Sequence, residues 1–170
     1  MPKIIENLES KLIAEACRQI EEVGYGAVTI RSIAKACGVG GGTVYNYFPS
    51  KDDLLASYLL TDWVDCITAI KAVGTYSDTH LPVLHCSYDQ VAAYIQRHHT
   101  IFRDTSAAVR FVATFNRHHQ MLRTELGAPL RKFCEDDFTA EFVAVNLLIW
   151  VVAKKEFDEI YRLLKKYFID

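Results

Sequence analysis

The 170-residue chain has little charge of either sign to spare. Its formal net charge is -2, and its first 50 residues set five cations (Lys3, Lys11, Arg18, Arg31, Lys35) against five glutamates. Binding to a polyanion therefore has to come from a few placed cations rather than from a strong field. The five cysteines (Cys17, Cys37, Cys66, Cys86, Cys134) are an odd number and include no C-x-x-C pair. With an opening "MPKIIENLESK" that is charged and lacks a long apolar run, they read as reduced thiols in a cytoplasmic protein. The longest apolar run, "FVAVNLLIWVVA" at 142–153, is too short to span a bilayer and contains Asn146, so it reads as a buried helix. Gly-x-Ser-x-Gly, P-loop and dinucleotide motifs are missing, and although a cysteine and a histidine could in principle make a nucleophile pair, nothing in the sequence brings two of them together as one. The expectation is a protein without catalytic residues, cofactor or metal.

No tract alternates with period two for long enough to make a convincing strand, and helical spacing recurs throughout. Residues 4–22 read as an amphipathic helix in which Ile5, Leu8, Leu12, Ala16, Ile20 and Val23 repeat at intervals of three or four, and the "GYG" at 24–26 stops that helix. Thr29 is placed to cap a second helix whose Ile30, Ile33, Ala34 and Cys37 share a face, with Gly38 suited to its left-handed end. A short third helix follows. Its Val44 and Phe48 point inward as an i, i+4 pair, and Thr43 and Tyr47 form another pair displaced around it. Pro49 ends it and Ser50 caps the next helix, which is expected to reach about Ala72 before a polar break from Gly74 to Pro82. Helices are expected at about 86–103 and 106–123, with a stop at Gly127–Pro129, and a final pair at 139–152 and 156–168. The fold class is all-α.

Helix, tight turn and short helix make the helix-turn-helix arrangement, whose second helix enters a DNA major groove. The stretch "CGVGGGTVYNYFPSKDDLL" then makes sense of three glycines beside a tyrosine cluster. Bare backbone can approach the sugar-phosphate edge, and tyrosines can donate to phosphates while covering sugars. The alternative for Tyr45 and Tyr47 is packing between helices, and for Arg31 a solvated surface position.

The stretch "TIRSIAKACGVGGGTVYNYFPSKDDLL" resembles the N-terminal domain of the tetracycline-repressor (TetR/AcrR) family of bacterial transcription regulators. The first 55 residues follow the pattern, and beyond about residue 60 only the general plan carries over. The resemblance implies a helix-turn-helix DNA-binding domain at 1–49 and a helical ligand-binding and dimerisation domain at 50–170. It implies a homodimer through helices 139–152 and 156–168 on a palindromic double-stranded operator, released or retained by a small-molecule effector. By this resemblance Thr29, Arg31, Gly41, Thr43, Tyr45, Tyr47 and Lys51 face DNA, with Lys51 on a phosphate. Two departures stand out: Gly40 replaces the usual Ser or Thr cap of the third helix, and Gly41 replaces an often polar or basic residue. They leave a second reading open, an interaction module that has lost strong DNA binding.

In the second domain Trp63, Ile67, Tyr94, Phe111 and Phe115 could line a pocket, although a plain core would have the same composition. "QRHHTIF" and "NRHHQML" add two histidine pairs, in which His98 shares a face with Phe102, and His118 with Phe115. One histidine of each pair could be a core residue and the other solvated, or they could meet an organic ligand. A metal is the remaining alternative, disfavoured because adjacent helical residues point about 100° apart.

Overall fold

The computed structural model describes residues 7–103 and 123–169, with only the backbone for 102–103. Among them there is no strand, and extended pairing is limited to an isolated bridge between Cys134 and Phe168. The protein is all-α. Helices α1 (Leu8–Val23), α2 (Ile30–Ala36), α3 (Gly41–Tyr47), α4 (Lys51–Tyr76), α5 (His80–Arg97) and α6 (His99–Arg103) come first. Helical residues 123–127 belong to α7, and α8 (Asp137–Val152) and α9 (Phe157–Leu164) follow. Short 3-10 turns occupy Tyr25–Ala27, Ala128–Phe133 and Lys165–Tyr167. The chain forms two compact units, one drawn from Met1–Thr61 and His98–Thr114, the other from Asp62–Arg97 and Phe115–Asp170. The first turns of α4, up to Thr61, fall in the same unit as the N-terminal helices.

The first unit is built on the apolar stripe of α1. Leu8, Leu12, Ala16 and Ile20 are buried together with Ile30, Ile33 and Ala34 of α2, Val44 of α3, and Leu54 and Leu55 of α4. Each fully buried aliphatic side chain of this kind stabilises by roughly 1.5–3 kcal/mol. Helix α2 starts at a reciprocal cap: Ser32 N–H donates to Thr29 Oγ1 at 3.0 Å, and Thr29 N–H donates to Ser32 Oγ at 3.2 Å. It ends at Gly38, whose φ of 69° is left-handed and costs glycine nothing. Val39 N–H then reaches back to the Ala34 carbonyl at 2.9 Å, turning the chain into α3.

In the second unit α5 packs on α8 and on the 3-10 turn at Ala128–Phe133. Val83, Leu84 and Val91 of α5 meet a core that includes Ala140, Val143, Ala144 and Leu147 of α8 and Leu130 of the turn. Asp136 caps α8, accepting from Thr139 N–H at 2.7 Å, and this bond holds its carboxyl below the usual carboxylate range.

Four boundaries differ from the expectation, the first being that the helix expected over about 86–103 is divided at His98 into α5 and α6. Helix α4 continues through Gly74 to Tyr76, so the polar break shrinks to 77–79. Gly74 is buried, and a Cβ there would stand 3.1 Å from Pro129 Cβ, so this glycine makes room for a neighbour instead of ending a helix. Pro82 lies in the first turn of α5, where its missing N–H removes no helical bond. The last helix closes at Leu164, and the chain turns outward so that Ile169 N–H can bond the Phe133 carbonyl at 2.8 Å.

Candidate nucleic-acid interface

Helix α3 divides into two faces. Val44 and Phe48 are 0% and 3% exposed and anchor it in the core. Tyr45 and Tyr47 are 55% and 46% exposed, which argues against the packing alternative for both. Asn46 stands exposed between them. The sequence reading passed over Asn46, although a side-chain amide next to two outward tyrosines is the signal that could have found it. Thr43 is half-buried one turn before Tyr47.

The start of α3 is bare. Gly40 takes the N-cap position with φ -76° and ψ 150°, and no side chain caps the helix. None of Gly40, Gly41 and Gly42 has a positive φ. A Cβ on Gly41 or Gly42 would meet nothing within 4 Å, and one on Gly40 would meet only Thr43 Oγ1, at 4.0 Å. Neither backbone conformation nor crowding inside the chain explains three consecutive glycines. Their effect is to leave the backbone of the first turn open to whatever approaches from outside.

Thr29 and Arg31 lie exposed at the start of α2. Thr29 Oγ accepts from Ser32 N–H, so the hydroxyl both fixes the helix start and keeps its own proton as a donor. Arg31 has no carboxylate within ion-pair distance among the described residues, and Lys35 is exposed one turn on. Helix α3 itself contains no basic residue.

Lys51 takes a role that the sequence reading did not give it. Its ammonium donates to the carbonyls of Tyr25 at 2.8 Å and Val28 at 2.9 Å, and sits 3.9 Å from the centre of the Tyr25 ring. These carbonyls belong to the connection between α1 and α2, so Lys51 ties the start of α4 to that turn. The expected phosphate partner competes here with two carbonyls and an aromatic face inside the chain.

Of the residues expected around a ligand, Trp63, Ile67 and Tyr94 are buried in the second unit. Trp63 and Tyr94 meet edge-on, with ring centres 5.3 Å apart. His98, 1% exposed, falls in the first unit and meets the Tyr58 ring at 4.9 Å. Its neighbour His99 is exposed, the split expected of a core histidine beside a surface one. The Phe102 side chain, Phe111, Phe115 and His118 lie outside the described residues. Among the described residues no group of three or more His, Cys, Asp or Glu could hold a metal ion. None of the five cysteines is in a disulfide. Burial first, and then the Asp62 carboxylate, push the Cys66 thiol up to about 12. No helix among the described residues is long and apolar enough to cross a membrane.

Residues 12–58 match the family described as bacterial regulatory proteins, tetR family. Over 54 residues the chain is 39% identical to the HTH-type transcriptional regulator HbdR of Aromatoleum sp. (strain CIB), covering 32% of this chain and 24% of that protein. Over 70 residues it is 37% identical to the HTH-type transcriptional regulator BetI 1 of Chromohalobacter salexigens, covering 39% and 35%. The chain thus spans only about a quarter to a third of the curated relatives it matches. The fold is similar over most of the chain to that of the fatty acid degradation regulator FadR from Bacillus halodurans, with TM-score 0.61, 20% identity, and 97% of this chain and 94% of that one covered. It is also similar to a transcriptional regulator from Aquifex aeolicus VF5, with TM-score 0.61, 13% identity, and coverage of 93% and 95%. At such identities the likeness is one of fold. Residues 12–58 thus match the helix-turn-helix segment of the tetR family of bacterial regulatory proteins, and the rest of the chain is similar to such regulators in fold.

Proposed function

We propose that this protein is a cytoplasmic, effector-responsive transcription regulator, a repressor that binds a palindromic DNA operator as a homodimer. The observation that carries the proposal is the outer face of α3: two exposed tyrosines beside a helix start stripped of side chains, on a helix anchored by Val44 and Phe48. In this reading α3 lies in the major groove. The Gly41 backbone approaches the sugar-phosphate edge, and Thr43, Tyr45 and Tyr47 contact phosphates, sugars and thymine methyls. Thr29 and Arg31 hold the flanking backbone. Lys51 supports this surface from behind by fixing the α1–α2 turn. No step of the proposal is catalytic.

The dimer reading rests on α8. One stripe of it, Ala140, Val143, Ala144, Leu147 and Val151, is buried within the chain. A second stripe is apolar but exposed: Phe138 at 77%, Phe142 at 38%, Ile149 at 53% and Val152 at 59%. Their spacing of four, seven and three puts them on one face, and Leu163 of α9 adds a further exposed apolar residue at 52%. A second copy covering this face would bury what one chain leaves in water. Two recognition helices would then read half-sites about one DNA turn, roughly 34–36 Å, apart.

The effector is proposed to bind in the second unit near Trp63, Ile67 and Tyr94. Helix α4 contributes residues to both units and is the proposed carrier of the signal, with a coupling of about 1–3 kcal/mol.

Footprinting on the DNA upstream of the protein's own gene tests the proposal. Protection of an inverted repeat is the expected result. Two exposed cations per subunit, Arg31 and Lys35, predict a shallow salt dependence with a log-log slope near about -3.6. Failure to retain any DNA at low salt would overturn the regulator reading in favour of an interaction module, the reading that the absence of basic residues on α3 favours.

A further inference from the structure

Trp63 is 5% exposed, and its indole Nε1–H has no hydrogen-bond partner among the described residues. A buried donor left unpaired is costly, and native chains contain few of them. The ring itself is held firmly, edge-on to Tyr94 of α5. Cys66 and Ile67, one helical turn further along α4, are also buried and lie on the same side of the helix as Trp63. The preceding residue, Asp62, is bound by the guanidinium of Arg97. Tryptophan therefore supplies a fixed donor in an apolar setting whose neighbouring charges already pair with each other.

We propose that Trp63 Nε1–H is the hydrogen-bond anchor for an uncharged, largely apolar effector that carries an acceptor oxygen of the aryl ketone, ester or amide kind. This rests on the reading of the second unit as the effector-binding one. An indole N–H can only donate, so the ligand atom it meets must be an acceptor. The same surroundings disfavour a carboxylate, because Trp63 is buried and the Arg97 guanidinium is already paired with Asp62. Burial and the Asp62 carboxylate both disfavour a thiolate at Cys66, and Arg97 offsets them only in part. A ligand anion one turn away would meet the same desolvation and the same neighbouring charge. A cationic group cannot accept the bond at all.

The experiment uses three probes of one size: acetophenone, α-methylstyrene, which replaces the ketone oxygen by a CH2 group, and benzoate. The indole proton resonances of 15N-labelled full-length protein are followed by NMR. The Trp63 signal is assigned by its loss in Trp63→Phe, and Trp150 serves as the internal control. Acetophenone is expected to move the Trp63 proton downfield and leave that of Trp150 in place. The hydrocarbon should bind without that downfield shift, and benzoate should bind at least roughly tenfold more weakly than acetophenone. Trp63→Phe keeps an aromatic ring in place and should weaken acetophenone by roughly fivefold to tenfold, with less than about a twofold effect on α-methylstyrene. A Trp63 proton that responds equally to the two neutral probes, or to neither, overturns the assignment, as does benzoate binding as tightly as acetophenone. Operator retention measured without any probe tests the DNA-binding reading separately. Binding of the hydrocarbon and the ketone without an indole shift would show a ligand site that lacks this anchor.

Discussion

Replacing Gly41 and Gly42 together by alanine should make the protein more stable and a poorer DNA binder. Both residues lie in the first turn of α3 with φ values open to any residue, and an added Cβ at either meets nothing within 4 Å. Each exchange removes backbone freedom from the unfolded chain and adds helix propensity, about 0.5–1 kcal/mol per site at the end of a helix. The double variant should gain about 1–2 kcal/mol, or about 2–8 °C in Tm for a chain of this size. Gly40→Ser would add a cap hydroxyl at a residue already in N-cap geometry, a further few tenths of a kcal/mol. Differential scanning calorimetry measures the gain, and operator retention measures the loss. The two methyl groups stand where backbone is proposed to meet sugar and phosphate, so operator affinity should fall about tenfold or more, about 1.4 kcal/mol. A variant that gains stability and keeps full operator affinity would refute the close-approach reasoning. One that loses stability would mean that the first turn of α3 is crowded after all.

Lys51→Met keeps the aliphatic stem but removes both bonds to the Tyr25 and Val28 carbonyls; it should cost about 1–3 kcal/mol by urea titration while changing the salt slope of DNA binding very little. A fall in slope of about 1 per subunit with unchanged stability would instead assign the ammonium to a phosphate. Glu15 accepts hydrogen bonds from Arg18 and Gln19, which lower its pKa from 4.5 to about 2; the stability it contributes is complete above pH 4.5 and is lost as pH falls toward 2. Urea midpoints across that window should therefore drop less in Glu15→Gln than in the wild type. Ile149→Asp combined with Val152→Asp places charge on the exposed stripe of α8; sedimentation should show a monomer that keeps its helical content, and a dimer of unchanged stability would move the interface elsewhere.

Local signals were read correctly where one residue and its near neighbours decide the outcome. Thr29 caps α2, and Ser50 caps α4 by accepting from Asp53 N–H at 3.1 Å, because a hydroxyl three residues before a free N–H needs no help from distant chain. Val44 and Phe48 face inward because four residues bring a helix back to the same side. The intrachain bonds of Lys51 were not legible because its partners, the Tyr25 and Val28 carbonyls, are 26 and 23 residues away. No spacing rule reports which carbonyls a turn leaves unpaired. The end of the chain escaped for the same reason. The apolar pattern through Phe168 suits a helix, but a hydrogen bond from Ile169 to the distant Phe133 carbonyl draws the last residues into an extended path.

Glycine shows the limit most sharply, because one residue type answers to three different forces in this chain. Gly38 is needed for its left-handed backbone, and that need is visible locally, at the end of a helix and before an apolar residue. Gly74 is needed for space, because Pro129 occupies the position a side chain would take, and only the folded chain reveals it. Gly40, Gly41 and Gly42 meet neither need: their backbone is ordinary and the volume beside them is empty. A residue that weakens its own helix without relieving strain or crowding is explained by something outside the chain. In the proposed function, on a helix whose buried side is fixed by Val44 and Phe48, that something is DNA approaching the open first turn beside Tyr45 and Tyr47. Replacing these glycines by alanine therefore separates stability from binding.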